Sequence, residues 1–365
     1  MEIWHMGASS SPRTIDGASA TIWRIAEEQA HLGHSVVLVL DGQPNRAALT
    51  SAERAGFKLM DIPLGVRHFD KVLKARLHRK PPQVLHMHRA FVPRQTVLEW
   101  CLLRSKVASV VTPHGAIDFQ RRPIRKRLYT WMLEKRRLDN ASAITLVSPE
   151  EEKAVHAVVP NYGGIVRWIS NPVDNYNLEG YSWKGNIGAK RLVFLGRFHV
   201  VHKGIDILVD TARFLPDIEF HLYGTEDPAT KGQFERIKLR LPPNVNLHGP
   251  VFEAEKAQVL ANASLYIQTS RWEGFPISVA EAMYIGVPCA IAETLYQAEL
   301  FRRRDIGLVF SPNPKEAAVR LSRALTQPAR LRHWSEQARA YARTHFHPQT
   351  VACRYLQLYQ EVLKS

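Results

Sequence analysis

Residues 271–288 read RWEGFPISVAEAMYIGVP and place two carboxylates, Glu273 and Glu281, on either side of a Gly-Phe-Pro turn. The preceding ASLYIQTS, residues 263–270, is an apolar run of strand length. Ser278 to Ile285 suits a helix with Pro276 in its first turn. Glu273 then sits on a strand-to-helix loop, and Glu281 lies inside the helix beside Ala280, Ala282 and Met283. An unpaired charge there would be costly. Taken singly, each carboxylate reads as a solvated side chain. Together they suit a ligand with several hydroxyl groups, because carboxylates accept hydrogen bonds while amides at a helix N-terminus donate them.

Outward from this stretch, apolar strand-like segments alternate with amphipathic ones. EIWHM, SVVLVLD, FKLMDIP, QVLHMH, ASVVTP, AITLVS and GIVRWIS form a first series, with helical segments such as ATIWRIAEEQAHLG and PEEEKAVHAVV between them. RLVFLGR, IEFHLYG, NVNLHG, ASLYIQT, VPCAIA and IGLVF form a second. This rhythm predicts two α/β units built on open parallel sheets. The expected organisation is an N-terminal domain over residues 1–172, a polar linker over 173–188 and a C-terminal domain over 189–345. A final helix, residues 346–365, is expected to cross back to the first domain. Ligands of such sheets bind beyond the carboxyl ends of the strands.

The chain has 365 residues, 45% of them hydrophobic, enough for two cores. Cys101, Cys289 and Cys353 have no metal-ligand or redox spacing, which fits a reducing cytoplasm. The start, MEIWHMGASSS, lacks a signal-peptide profile, and no apolar run is long enough to cross a bilayer. The expected location is therefore cytoplasmic. The formal charge of +15 points to anionic partners. Residues 121–137, RRPIRKRLYTWMLEKRR, carry eight Lys or Arg and one Glu, with Leu128, Trp131, Met132 and Leu138 at near-helical spacing. That pattern describes a basic amphipathic helix suited to an anionic membrane surface at the inner face of the cytoplasmic membrane. A second basic stretch covers residues 66–80. No helix-turn-helix, zinc-finger or RNP pattern supports nucleic-acid binding. The absence of G-x-G-x-x-G after the first strand argues against a dinucleotide oxidoreductase.

Several residues at strand ends have complementary chemistry. Gly196 and Arg197 end one strand, and Lys203-Gly204 precede a helical segment, so two cations and free amides favour a diphosphate. In the first series, VVTPHGAID places His114 and Asp118 after a strand, and Gly17 opens the first helix. His86, His88 and His114 offer nitrogen ligands, but no carboxylate or cysteine motif joins them, so no metal is expected.

With these residues in place, GRFHVVHKG resembles the donor-phosphate motif of the retaining glycosyltransferases of family four, and EGFPISVAE resembles their Glu-seven-residues-Glu signature. TPHG, VSPEEE, NPVD and NVNLHGPV follow in the family's order, and residues 112–138 look like those of bacterial enzymes that assemble exopolysaccharide or lipopolysaccharide. The resemblance implies a GT-B fold, two Rossmann-like domains facing across a cleft, and retaining transfer of a hexose-type sugar from a UDP or GDP donor to a saccharide or lipid-linked acceptor. It implies catalytic roles for His114, Glu273, Arg197 and Lys203. The implied donor site comprises Gly17, Gly196, Arg197, Lys203, Val251, Glu273, Gly274, Phe275, Pro276 and Glu281, with Glu273 on sugar hydroxyls and Glu281 on the ribose. His88 and Asp118 fall to the acceptor side. No cofactor is implied beyond the nucleotide sugar. A nucleotide-sugar epimerase or hydrolase of the same fold is the alternative.

Overall fold

The computed structural model describes residues 1–12, 16–40, 42–61, 81–90, 92, 107–115 and 129–364. They divide into two units, Met1–Pro172 with Pro348–Ser365, and Val173–His347.

The first unit holds β1 (Glu2–Ala8), β2 (Ser35–Leu40), β3 (Lys58–Asp61), β4 (Val84–His88), β5 (Ala108–Thr112), β6 (Ala143–Leu146) and β7 (Ile165–Trp168). All pair in parallel, in the order β3-β2-β1-β4-β5-β6-β7. The central strands β1, β2, β4, β5 and β6 are buried almost throughout because both of their faces are covered, whereas the edge strands β3 and β7 are partly exposed. Ile3 packs on one side with Ile25, Tyr355 and Tyr359, whereas Trp4 and Met6 pack on the other with Leu85 and Met87. Tyr355 and Tyr359 come from the helix Pro348–Val362, which also buries Val351 and Leu358. These positions recur at helical spacing, so one face of the helix closes over the sheet.

The second unit holds β8 (Arg191–Leu195), β9 (Glu219–Tyr223), β10 (Val245–His248), β11 (Leu265–Gln268), β12 (Cys289–Ala292) and β13 (Leu308–Phe310), also parallel. Their order, β10-β9-β8-β11-β12-β13, counts as 3-2-1-4-5-6 from the unit's own first strand. The first unit repeats that order and adds β7. In sheets wound this way, ligands bind where the strand order reverses, here beyond the ends of β1 and β4 in one unit and of β8 and β11 in the other.

Residues 173–188, expected as a polar linker, pack as part of the second unit. Val173 and Leu178 are buried in its core, Trp183 Nε1 donates to the Ala263 carbonyl at 2.8 Å, and the Trp183 amide donates to the Ile285 carbonyl at 2.9 Å. The apolar residues among the polar ones anchor the segment, and its lack of periodicity concealed them.

Candidate active site

In the second unit, β8 ends at Leu195, and Gly196 and Arg197 lead into the short helix Val200–Lys203. Gly204 follows with φ +65, and a Cβ there would lie 2.1 Å from the Thr269 carbonyl oxygen. Only glycine suits both the backbone and the space. Thr269 Oγ1 donates to the Lys203 carbonyl at 2.9 Å, so the two strand ends are tied together. Gly224, which the sequence did not single out, has the same role beside β8: a Cβ would meet the Gly196 carbonyl oxygen at 1.8 Å.

This tie brings Lys203 to Glu273, Nζ to Oε1, at 2.6 Å. Ser270 Oγ and Gln268 Nε2 donate to the same oxygen at 2.6 and 3.2 Å. Oε1 is thus filled by three donors, whereas among the described residues Oε2 has only His202 Nε2, at 3.8 Å. Burial would push the Glu273 carboxyl up, but the Lys203 ammonium, His202 and the Ser270 hydroxyl hold it below the usual range. Glu273 is therefore ionised at neutral pH, with one oxygen available to a hydroxyl donor. His202 packs against Trp272 at 4.8 Å and is pushed down to about 4, chiefly by burial, with Glu273 opposing. Arg271 clamps the loop through a two-pronged ion pair to Asp206, 2.8 and 2.6 Å.

Gly274, Phe275 and Pro276 lead into the helix Ile277–Ile285, with Pro276 as its N-cap rather than in its first turn. The Phe275 ring meets Phe346 edge-on at 5.3 Å. The first-turn amides of this helix add a positive end to the site. Glu281 is buried at 4% side-chain exposure and is not a lone charge: Lys256 Nζ reaches its Oε1 at 2.7 Å. Val251 is half-buried against the same core, just ahead of the helix Glu253–Ala261 that carries Lys256. Arg197 pairs with the buried Asp227 at 2.9 Å while half of its own side chain stays exposed.

In the first unit, Gly17 opens the helix Gly17–His31 and Asp16 caps it. Ser19 Oγ accepts from the Ser9 amide at 2.7 Å, which draws the loop after β1 onto the helix. Arg89, just past β4, forms an ion pair with Asp16. Both Arg89 (φ 74) and His114 (φ 55) adopt the left-handed conformation without being glycine. Strain of roughly 1–3 kcal/mol per such residue is characteristic of functional positions. The Gly115 amide donates to Glu151, which also accepts from the Val147 amide at 2.9 Å. Burial pushes the Glu151 carboxyl up to about 7 against those two bonds.

His114 meets His88, and His88 meets His5, each across 3.0 Å. Burial and the nearby Arg89 charge push His114 down to about 3. Three ring nitrogens within 4.8 Å belong to His5, His86 and His88, so His5 replaces His114 in the expected imidazole group. His5 lies in an apolar strand and was not singled out by the sequence, yet its register partner on β4 is His86.

Asp118 and residues 121–128 lie outside the described residues. The rest of the expected basic helix departs from the amphipathic pattern. Trp131 and Met132 are exposed, but Arg137 is fully buried, paired with Glu134 at 2.7 Å and donating to the Arg89 carbonyl at 2.7 Å. Arg137 therefore braces the Arg89 loop instead of facing solvent. Among the described residues, no helix is long and apolar enough to cross a membrane.

Residues 15–175 match the family described as Glycosyltransferase Family 4, and residues 182–341 match Glycosyl transferases group 1. The chain is similar to a phosphatidylinositol N-acetylglucosaminyltransferase component of Arabidopsis thaliana, 22% identical over 85% of this chain and 71% of that protein. It is also similar to N,N'-diacetylbacillosaminyl-diphospho-undecaprenol alpha-1,3-N-acetylgalactosaminyltransferase of Campylobacter jejuni, 26% identical over 50% of this chain and 48% of that protein. Among solved structures, Anabaena Alr3699/HepE in complex with UDP and glucose aligns with a TM-score of 0.77 at 18% identity, covering 99% of this chain and 100% of that one.

Proposed function

The chain belongs to the family 4 glycosyltransferases of GT-B fold, and from that premise we propose that it transfers a hexose-type sugar from a nucleoside-diphosphate donor, with retention at the anomeric carbon, to a saccharide or lipid-linked acceptor of bacterial surface polysaccharide synthesis. The observation that carries this reading is the Lys203–Glu273 pair at 2.6 Å beside the N-terminus of Ile277–Ile285. A cation and free amides suit the diphosphate, and an ionised carboxylate with one open oxygen suits sugar hydroxyls.

In this reading Arg197 and Lys203 stabilise the diphosphate as negative charge grows on it, where preorganised charge lowers a barrier. Glu273 holds the donor sugar with the amides near Gly274, Phe275 and Pro276. Glu281, its charge held by Lys256, binds the ribose, and Gly196 and Val251 line the nucleotide. Gly17 gives the phosphates close approach, His114 touches the sugar, and His88 and Asp118 lie on the acceptor side. No metal or cofactor enters the scheme. The structural relative bound to UDP and glucose favours a uridine donor. The names of both curated relatives carry a lipid, phosphatidylinositol in one and diphospho-undecaprenol in the other, which favours a lipid-linked acceptor.

The test is a screen of UDP- and GDP-sugars for turnover, with product mass and anomeric configuration read on lipid-linked acceptors. Retained configuration with acceptor mass gain supports the reading. Donor isomerisation or hydrolysis without transfer would favour the epimerase alternative. A lipid-linked acceptor also gives residues 121–137 a purpose at an anionic cytoplasmic membrane surface. Vesicle co-sedimentation of wild type against a variant with Arg121, Arg122, Arg125, Lys126 and Arg127 changed to Gln decides that part. Equal binding of both proteins to anionic and neutral vesicles would sink it.

A further inference from the structure

Lys203 and Glu273 serve different parts of the nucleotide sugar in the reading above, yet in the structure they hold each other. Lys203 Nζ stands 2.6 Å from Glu273 Oε1, and both side chains are largely buried. Among the described residues this carboxylate is the only hydrogen-bond partner of the ammonium. Burial pushes the Glu273 carboxyl up, and the Lys203 charge is the largest of the influences that hold it down, ahead of His202 and the Ser270 hydroxyl. Glu273 therefore stays ionised largely through a cation that a diphosphate also attracts.

The two partners differ in freedom. The backbone of Lys203 is fixed, its carbonyl accepting from Thr269 Oγ1 at 2.9 Å and its amide donating to the His199 carbonyl at 2.9 Å. Its stem passes Gly196, where a Cβ would lie 3.8 Å from Lys203 Cε, and the flexible four-carbon chain lets the charge swing while the backbone stays in place. Glu273 is held from the other side. Ser270 Oγ and Gln268 Nε2 grip its Oε1 at 2.6 and 3.2 Å, Gln268 Nε2 also donates to Ser270 Oγ at 2.6 Å, and Thr294 Oγ1 donates to the Ser270 carbonyl at 2.8 Å. The ammonium can follow a phosphate, and the carboxylate cannot follow the ammonium.

A diphosphate that takes Lys203 leaves Glu273 buried without its cation, and one that shares Lys203 divides a single positive charge between two anions. Either outcome is unfavourable for the carboxylate. An intact nucleotide sugar compensates, because its sugar hydroxyls donate to Glu273 while its phosphates draw on Lys203. A nucleoside diphosphate without the sugar has no group for that place.

We propose that the Lys203–Glu273 pair discriminates the intact nucleotide sugar from the nucleoside diphosphate left after transfer, because the diphosphate alone strips Glu273 of its cation and supplies no hydroxyl instead. The pair thereby favours departure of the spent nucleotide. The identity of the two ligands rests on the transferase reading.

Titration calorimetry of UDP, GDP and inorganic pyrophosphate against wild type and Glu273→Gln tests this. Gln keeps the shape and removes the competing charge, so diphosphate affinity should rise about tenfold, the scale of one hydrogen bond to a charged group. The nucleotide sugar found by the turnover screen should bind no more tightly than to wild type. Equal or weaker diphosphate binding by a folded Glu273→Gln protein overturns the proposal, and so does an equal gain for the nucleotide sugar. A purely structural ion pair would shift the melting temperature and leave the ratio of the two affinities unchanged. If Glu273→Gln does not fold, Ser270→Ala decides. It leaves Gln268 alone to hold the stripped carboxylate, so diphosphate affinity should fall about threefold and nucleotide-sugar affinity by less, and equal changes in both overturn the proposal. Wild-type protein that binds neither diphosphate nor nucleotide sugar removes the transferase reading and the discrimination with it, whereas binding without the predicted difference removes the discrimination alone.

Discussion

The two units share a strand order but arrange their sites with opposite electrostatics. At the reversal point of the first sheet, three buried histidines and the half-buried His114 are kept uncharged and hydrogen-bonded to one another, Gln29, Tyr359 and Thr112. At the corresponding point of the second, formal charges are buried and matched, Lys203 with Glu273 and Lys256 with Glu281. Neutral polar networks lose stability when protonated, whereas ion pairs lose it when one partner is removed. The same topology therefore has a different weak point in each unit.

Acid should separate them most. His5 is pushed down to about 4, His114 to about 3, and His86 and His88 well below the ordinary value, all through burial first. Their stabilising contribution is complete above about pH 6.5 and is lost as pH falls towards those depressed values, because the unfolded chain takes up protons first. Glu151, pushed up to about 7 by burial, opposes this between about pH 7 and 4.5, and Glu27, also raised by burial, acts in the same direction. Four rings against two carboxyls leave a net loss of stability as the pH falls below about 6.5. Calorimetry from pH 7.5 to 5 should show the first unit's transition falling faster than the second's. Parallel falls would break the comparison.

Lys256→Met should destabilise the second unit by about 3–5 kcal/mol by leaving Glu281 buried without that partner. Urea unfolding should show it, and adding Glu281→Gln should recover most of the loss. Next comes Glu273→Gln, which keeps shape and removes charge. Turnover of the correct donor should drop about 10²–10³-fold, the scale of losing one preorganised electrostatic contact. Wild-type turnover would remove Glu273 from the site. Glu273→Ala would also strand the Lys203 ammonium, so its effects on folding and turnover would be mixed. The smallest effect is expected at Arg197→Ala, where the cation is half exposed: thermal stability should change by less than about 1 kcal/mol, while nucleoside-diphosphate affinity, read by calorimetric titration, should fall. Unchanged affinity would argue that Arg197 serves only Asp227.

Much of this was legible in the sequence. Buried parallel strands announce themselves as short apolar runs, and every segment read that way contains a strand. Glu273 and Glu281 were visible through their spacing around a turn, and Gly204 through its place beside Lys203. Their partners were not. Lys256 reads as one more charge on a polar helix, Arg137 as one of a basic run, and His5 as a polar residue within an apolar strand. Each acquires its role by tertiary approach: Lys256 and Glu281 are 25 residues apart, and His5 and His88 are 83 apart. Local periodicity contains no signal for such meetings. The segment 173–188 was misread for a related reason, since a few anchoring side chains fix it without any regular pattern.

The His86–Tyr359 hydrogen bond joins residues 273 positions apart, and the helix that carries Tyr359 closes one face of the first sheet. On a ribosome adding roughly 5–20 residues per second, β4 would wait about 15–55 s for that cover. The second unit is continuous in sequence and would emerge complete during the wait. Its assembly would therefore precede completion of the unit synthesised first, leaving the imidazole-bearing face exposed to chaperones in the interval. Hydrogen-exchange labelling of nascent chains stalled just after His347 has emerged should find β8 to β13 protected and β1, β4 and β5 open, and equal protection of both sheets would contradict that order.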